Sequence, residues 1–182
     1  MSLNIVINPL KIIFLLFIMA SCSTLVEDEN MNKNNVIYKI RSIDSNFINL
    51  ETLLFVDIDT QSLLHIKKGT VLKQYSISSS YYGTGSRENS FKTPLGRHEI
   101  YKKIGNDLPV NAILKGRVWS GAIADIIEEP LDTDFDHVTS RILWLDGLEV
   151  GKNKGKGIDS RDRYIYIHGT AEEGLIGKPA SD

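Results

Sequence analysis

Apolar and polar residues alternate with a period of two along most of the chain after residue 50. Short alternating or apolar runs at 53–59, 62–68 and 71–78 are separated by polar turn residues. Successive side chains of a strand point to opposite faces of a sheet, so this pattern predicts β-strands. The step KKGT at 67–70 predicts a hairpin between the second and third runs.

The same alternation returns at 96–104, 139–145 and 163–169. Strands joined by loops of irregular length predict a mainly β domain, either a sandwich or a partly open barrel. The stretch INLETLLFV at 48–56 is also compatible with a helical turn at its start.

The N-terminal segment differs from the rest of the chain. Lys11 precedes the apolar run IIFLLFIMA, and Ser21-Cys22-Ser23 follows it. This order predicts a signal peptide over 1–21, and the run is short for a membrane-spanning helix. Met19-Ala20-Ser21-Cys22 resembles a bacterial lipobox, which implies lipidation of Cys22. The alternative is an ordinary signal peptide with a chance cysteine.

The lipobox resemblance implies a lipoprotein of the bacterial cell envelope that faces the periplasm. Ser23 replaces the aspartate that favours inner-membrane retention, so the outer membrane is favoured. Residues 23–36 are polar and rich in asparagine, which is typical of a flexible tether. We therefore predict a lipidated Cys22 and tether over 22–49 and one folded domain over 50–182.

Composition excludes several classes of protein and of site. The chain is 42% hydrophobic and carries a formal net charge of -2, which gives no electrostatic basis for nucleic-acid binding. With one cysteine, an intramolecular disulfide and a cysteine-based zinc site are impossible. The acidic stretch at 132–137 lacks the glycine and distal glutamate of a calcium-binding EF-hand loop. We predict no metal and no cofactor.

Three long loops, at 78–96, 127–137 and 149–162, are either site loops or solvated surface. His168 ends an alternating run and precedes Gly169. A histidine at the end of a strand is suited to act as a general base, because its usual pKa lies near neutrality. The alternative is a structural or surface histidine. We interpret His65, His98 and His137 as ordinary surface or strand positions.

Three stretches together give the chain a family likeness. KTPLGRHEI at 92–100, SRILWLDGLEVGKNKGKGIDSRDRYIYIHGT at 140–170 and EEGLIGKPAS at 172–181 resemble the L,D-transpeptidase (YkuD-like) catalytic domain. The resemblance implies a β-sandwich-like fold with long loops. It also implies acyl transfer on peptidoglycan stem peptides by a cysteine nucleophile.

The resemblance assigns roles to individual residues. It implies that His168 is the base for the cysteine thiol and that Gly169 orients it through the backbone. It implies a substrate cleft shaped by the loop with Thr93, Pro94 and Gly96, together with Ser181. As aromatic residues in a glycine-rich loop, Tyr81 and Tyr82 are candidates to line the substrate groove. Tyr81 and Tyr82 are equally compatible with core packing.

The nucleophile of the family lies in a Ser-His-Gly-Cys motif. Ser181 matches its serine, but Asp182 stands where the histidine belongs, and Cys22 lies before the domain. We therefore expect a domain that is truncated before the cysteine, lacks its C-terminal end and is inactive as it stands. Three hypotheses remain open: a transpeptidase when the chain continues, a catalytically inactive murein-binding lipoprotein, and a non-functional gene remnant.

Overall fold

Eight β-strands dominate the part of the chain that the structure describes. The structure, a computed structural model, describes residues 36–42, 45 and 47–180. The strands are β1 (Leu53–Asp57), β2 (Ser62–Lys67), β3 (Thr70–Ser76), β4 (His98–Ile104), β5 (Ala112–Lys115), β6 (Val118–Ile123), β7 (Thr139–Gly147) and β8 (Tyr166–Gly169). The predicted signal peptide, Cys22 and Ser181 lie outside the described residues.

The strands form two sheets. The first has the order β1-β2-β3, and the second has the order β4-β7-β5-β6 with β8 paired to β7. The four strand pairings of the second sheet are all antiparallel. The prediction of a mainly β fold is confirmed, and two antiparallel sheets are consistent with the β-sandwich-like class.

The described chain divides into two compact units. One contains the described residues up to Phe55 together with Leu64–Gln74, and the other contains Val56–Leu63 and the residues from Tyr75 onward. In the first unit, residues 36–42 form an α-helix within the stretch that we assigned to the tether. Its Ile40, 2% exposed, joins a core cluster with Leu64 and Ile66, because Val36, Ile37 and Ile40 share one helical face.

Two hairpins have tight turns of the same kind. Lys68 and Gly69 connect β2 to β3 with φ values of 47° and 75°. Gly116 and Arg117 connect β5 to β6 with φ values of 55° and 70°. Two successive residues with positive φ make a type I′ turn, whose twist matches that of the flanking strands. The sequence predicted the first hairpin but not the second, in which β5 has only four residues.

Strand β7 is the longest of the second unit and pairs with β4, β5 and β8. Its Ile142 is 1% exposed, and Ile113, Ala124 and Ala171 form a separate buried cluster of that unit. Strand β8 begins at Tyr166, three residues later than the alternating run predicted. The preceding residues instead form turns, in which Tyr164 N donates to Arg161 O (3.0 Å) and Ile165 N donates to Ser160 O (3.0 Å). Among the described residues, no helix has the length and apolarity that crossing a membrane requires.

Candidate functional site

His168 lies near the end of β8, where β8 runs alongside β7. In this antiparallel register His168 is opposite Ile142, and Gly169 is opposite Thr139. The His168 side chain is half-buried. The pairing with a buried residue of β7 fixes the direction of the imidazole relative to the sheet.

The backbone of the next residue orients the His168 ring. His168 Nδ1 lies 3.0 Å from Gly169 O. A carbonyl oxygen only accepts hydrogen bonds, so Nδ1 carries the proton in this contact. In the neutral ring the lone pair is therefore on Nε2, which is the tautomer that accepts a proton at that nitrogen. The role of Gly169 in orienting a catalytic base stays a prediction.

Gly169 is held in a place that leaves no room for a side chain. A Cβ at this position would lie 2.9 Å from Thr139 Oγ1 and 3.1 Å from Thr139 O. Thr139 is 0% exposed, and its Oγ1 has no hydrogen-bond partner among the described residues. Close packing of a threonine against a glycine thus sets the position of the carbonyl that His168 contacts.

The segment that follows His168 is anchored to the acidic loop at 127–137. Ile127 N donates to Ala171 O (2.8 Å), and Gly174 N donates to Ile127 O (3.0 Å). Glu172 is 4% exposed, and its Oε1 accepts hydrogen bonds from Thr133 N (2.7 Å) and Thr133 Oγ1 (2.5 Å). This loop is therefore part of the support of the segment, in addition to having exposed acidic residues.

The end of the described chain pairs with the start of the loop at 78–96. Ala180 N donates to Ser79 O (2.9 Å), and Tyr81 N donates to Ala180 O (2.6 Å). Gly177 N donates to Ile77 O (3.1 Å) in the same alignment. These three hydrogen bonds hold the described end of the chain, at Ala180, against the start of this loop.

Internal hydrogen bonds give the loop at 78–96 its shape. Ser80 N donates to Thr93 Oγ1 (3.0 Å), and Tyr82 N donates to Ser80 Oγ (3.1 Å). Pro94 is buried. Tyr82 is 54% exposed, and its ring centroid lies 5.9 Å from that of Phe91. Thr93 and Pro94 are thus structural parts of the loop, whereas Tyr82 is accessible to a ligand.

The loop at 149–162 is ordered by a buried amide. Asn153 is 0% exposed, and its Nδ2 donates to Leu95 O and Arg97 O, both at 3.0 Å. Its Oδ1 accepts from Glu149 N (2.9 Å). A side chain at Gly96, where φ is 101°, would collide with Glu149 and would lie 2.9 Å from Asn153 Nδ2. Gly96 therefore permits the close approach of two loops.

His98 belongs to the same anchor. Its Nδ1 lies 2.9 Å from Gly96 O, and its Nε2 lies 2.8 Å from Oγ of the fully buried Ser160. Burial lowers the pKa of His98 below its usual value, although the contact with the Gly96 carbonyl acts in the opposite direction. The interpretation of His98 as an ordinary strand position omitted this structural role.

Three carboxylates come close together beside the acidic loop. Oxygen atoms of Asp132, Asp136 and Glu172 lie within 4.8 Å of one another. Thr133 already donates two hydrogen bonds to Glu172, and the two aspartates are exposed. Exposed acidic groups commonly gather in this way, so this cluster alone does not make a cation site.

The structure joins some of the predicted site residues and leaves others apart. Thr93 and Tyr82 both contact Ser80, and Gly96 packs on the loop at 149–162. Among the described residues, no hydrogen bond or ring contact connects His168 to the loop at 78–96. The sequence analysis missed Ser80 and Asn153, whose roles depend on hydrogen bonds between distant segments and leave no periodic signal.

One comparison with known proteins found a match. The family model for the L,D-transpeptidase catalytic domain (YkuD) matches residues 51–182. Searches of curated proteins and of solved structures found no match.

We expect Gly169→Ala to lower the free energy of unfolding by about 1–3 kcal/mol, because the added methyl group would overpack the contact with Thr139. Urea denaturation followed by circular dichroism measures this loss. Thr139→Ala removes the opposing Oγ1, so the double variant should lose less stability than the two single variants added together. A Gly169→Ala protein as stable as its parent would contradict this account of the packing.

Proposed function

Because the chain belongs to the L,D-transpeptidase catalytic domain family, we propose that it binds peptidoglycan stem peptides and that His168 is its catalytic base. The hydrogen bond from His168 Nδ1 to Gly169 O carries the second part of this proposal. It leaves Nε2 of the neutral ring free to accept a proton from a nucleophile.

In the reaction proposed for this family, the base takes the proton of a cysteine thiol. The thiolate attacks a stem-peptide carbonyl, the peptide bond to D-alanine breaks, and the proton passes to the departing amine. An amine of a second stem peptide then attacks the thioester, loses a proton to the imidazole and releases the thiol. His168 therefore has to accept and return one proton in each half of the reaction.

The residues that the structure describes include no cysteine. The only cysteine of the 182 residues is Cys22, whose sulfur lipidation would consume. A base without a nucleophile cannot form the thioester. We therefore propose that the 182-residue chain binds stem peptides without acylation, and that acyl transfer requires a cysteine placed after Ser181. The pairing of Ala180 with Ser79 and Tyr81 supports this position for the cysteine.

The binding proposal predicts that the 182-residue chain sediments with purified murein sacculi at low and moderate salt. Sacculi from which an amidase has removed the stem peptides serve as the control, and they should retain much less protein. A chain that stays in the supernatant with intact sacculi would contradict peptidoglycan binding and favour the hypothesis of a non-functional remnant.

The catalytic proposal predicts a gain of activity in an extended variant. Asp182→His followed by Gly and Cys completes the motif, and mass spectrometry should then detect an acyl-enzyme with a tetrapeptide substrate. His168→Ala in the extended variant should reduce acylation at least about 100-fold, because general-base catalysis is typically worth that much. Undiminished acylation in that variant would remove His168 from the mechanism.

We propose further that Cys22 is lipidated and anchors the domain to the envelope, facing the periplasm, with the outer membrane favoured over the inner. The lipobox-like Met19-Ala20-Ser21-Cys22 and the absence of aspartate at Ser23 support this proposal. A bacterium that expresses the chain should incorporate labelled palmitate into it, and Cys22→Ser should abolish the incorporation. Equal labelling of both proteins would exclude Cys22 as the acceptor.

A further inference from the structure

A basic cavity lies on the second sheet, beside the tight turn of the β5–β6 hairpin. Its volume is about 500 Å³, and its lining includes Lys102, Lys103, Asp107, Arg117, Val118 and Trp144. Three of these side chains are cationic and one is anionic. Among the described residues, none of the three cations forms an ion pair with a carboxylate. The cavity therefore presents a net positive charge to solvent.

Arg117 is held in a fixed position at this cavity. It occupies a turn position with φ of 70°, which is uncommon for a residue other than glycine, asparagine or aspartate. Its guanidinium carbon lies 4.8 Å from the Trp144 ring centroid and 4.9 Å from that of Tyr164. Its Nη1 donates to Tyr166 Oη at 3.0 Å. A guanidinium has five N–H donors, so this contact leaves others for a ligand.

The cavity and His168 occupy adjacent rows on one side of the sheet. Lys102 on β4, Trp144 on β7 and Tyr166 on β8 are directly paired across the strands. The next row in the same direction consists of Ile104, Ile142 and His168. Residues two apart in a strand face the same side and lie about 7 Å from each other. Trp144, which lines the cavity, is thus one strand across and two residues along from His168.

The chemistry of the lining selects a carboxylate ligand. A planar guanidinium binds carboxylates through paired hydrogen bonds, and a lysine beside it adds a second cation. Half-exposed rings of Tyr101 and Tyr164, 52% and 55% exposed, flank Trp144 and offer apolar surface next to the charges. An extended peptide with a free carboxylate fits both parts of this lining: its carboxylate can bind the cations, and its apolar atoms can pack on the rings.

We propose that this cavity binds a free carboxylate of the stem peptide and so positions the peptide beside His168. The proposal rests on the proposed function, since it assumes that peptidoglycan stem peptides are the ligand. Arg117 and Lys102 are positioning residues in this scheme. They hold the substrate and do not take part in proton transfer.

The test uses the 182-residue chain and a soluble disaccharide-tetrapeptide from peptidoglycan. The matched ligands are the same fragment with its carboxylates amidated and the disaccharide without peptide. The chain has two tryptophans, so a Trp119→Phe background leaves Trp144 as the fluorescent reporter. Calorimetry provides the affinity independently of fluorescence.

We expect the free-acid fragment to bind about tenfold or more tightly than the amidated one, because hydrogen bonds to charged groups are the stronger ones. Arg117→Gln and Lys102→Gln should each reduce the affinity for the free-acid fragment by about the same tenfold factor. Neither substitution should reduce the affinity for the amidated fragment by that much. Lys156→Gln, which removes one charge at an exposed position outside the cavity, should leave the affinity unchanged. Lys102→Gln retains the stacking of Arg117 on the aromatic rings. If Arg117→Gln fails to fold, the affinity of Lys102→Gln for the free-acid fragment therefore still tests carboxylate binding in the cavity.

Equal affinity for the free-acid and amidated fragments would overturn the inference, as would tight binding of the disaccharide without peptide. If the chain sediments with sacculi but neither substitution weakens binding of the free-acid fragment, this inference fails and the proposed function remains. If the chain binds neither sacculi nor fragments, the proposed function fails and the inference fails with it.

Discussion

The backbone pairing of β7 with three other strands is the constraint on which the candidate site depends. β7 contacts β4 and β8 along one stretch, and its Thr139 lies opposite both Ile113 of β5 and Gly169 of β8. A shift of one residue in an antiparallel register turns every side chain to the other face. The same shift would move His168 away from Ile142 and would separate Gly169 from Thr139. The burial of Ile142, which is 1% exposed, opposes that shift.

Side-chain hydrogen bonds between distant segments hold the long loops in position, as backbone pairing holds the strands of the sheet. Asn153 donates two hydrogen bonds from the loop at 149–162 to Leu95 O and Arg97 O, and it accepts a third from Glu149 N within its own loop. Arg163 donates to Gly85 O (3.3 Å) and Lys92 O (2.8 Å), which connects the loop at 78–96 to the same region. The amide of Asn153 is 0% exposed, so the loss of its partners would leave a buried polar group unpaired at a cost of about 1–3 kcal/mol. Long loops with such anchors can present a surface of fixed shape.

The period-two pattern predicted six of the eight strands of the described chain, and the glycine in KKGT predicted the turn at Lys68. It missed β5, which has only four residues, and β6, whose sequence VWSGAI does not alternate. The resemblance implied that His168 is a base, and the structure adds the contact of its Nδ1 with Gly169 O. Nothing in the pattern indicated the row of Lys102, Trp144 and Tyr166, since cross-strand neighbours are far apart along the chain.

The proposed base and the proposed nucleophile of the reaction depend on different interactions for their positions. The proposed base is oriented by its own neighbour: His168 Nδ1 contacts Gly169 O, and Thr139 packs against that glycine. The backbone of Ala180, the residue before the proposed nucleophile motif, is held instead by hydrogen bonds with Ser79 and Tyr81. The arrangement of the base therefore does not require a cysteine to be present. In the same way, the proposed binding of a peptide in the cationic cavity involves no thiol, so the proposals of substrate binding and of acyl transfer can be tested separately.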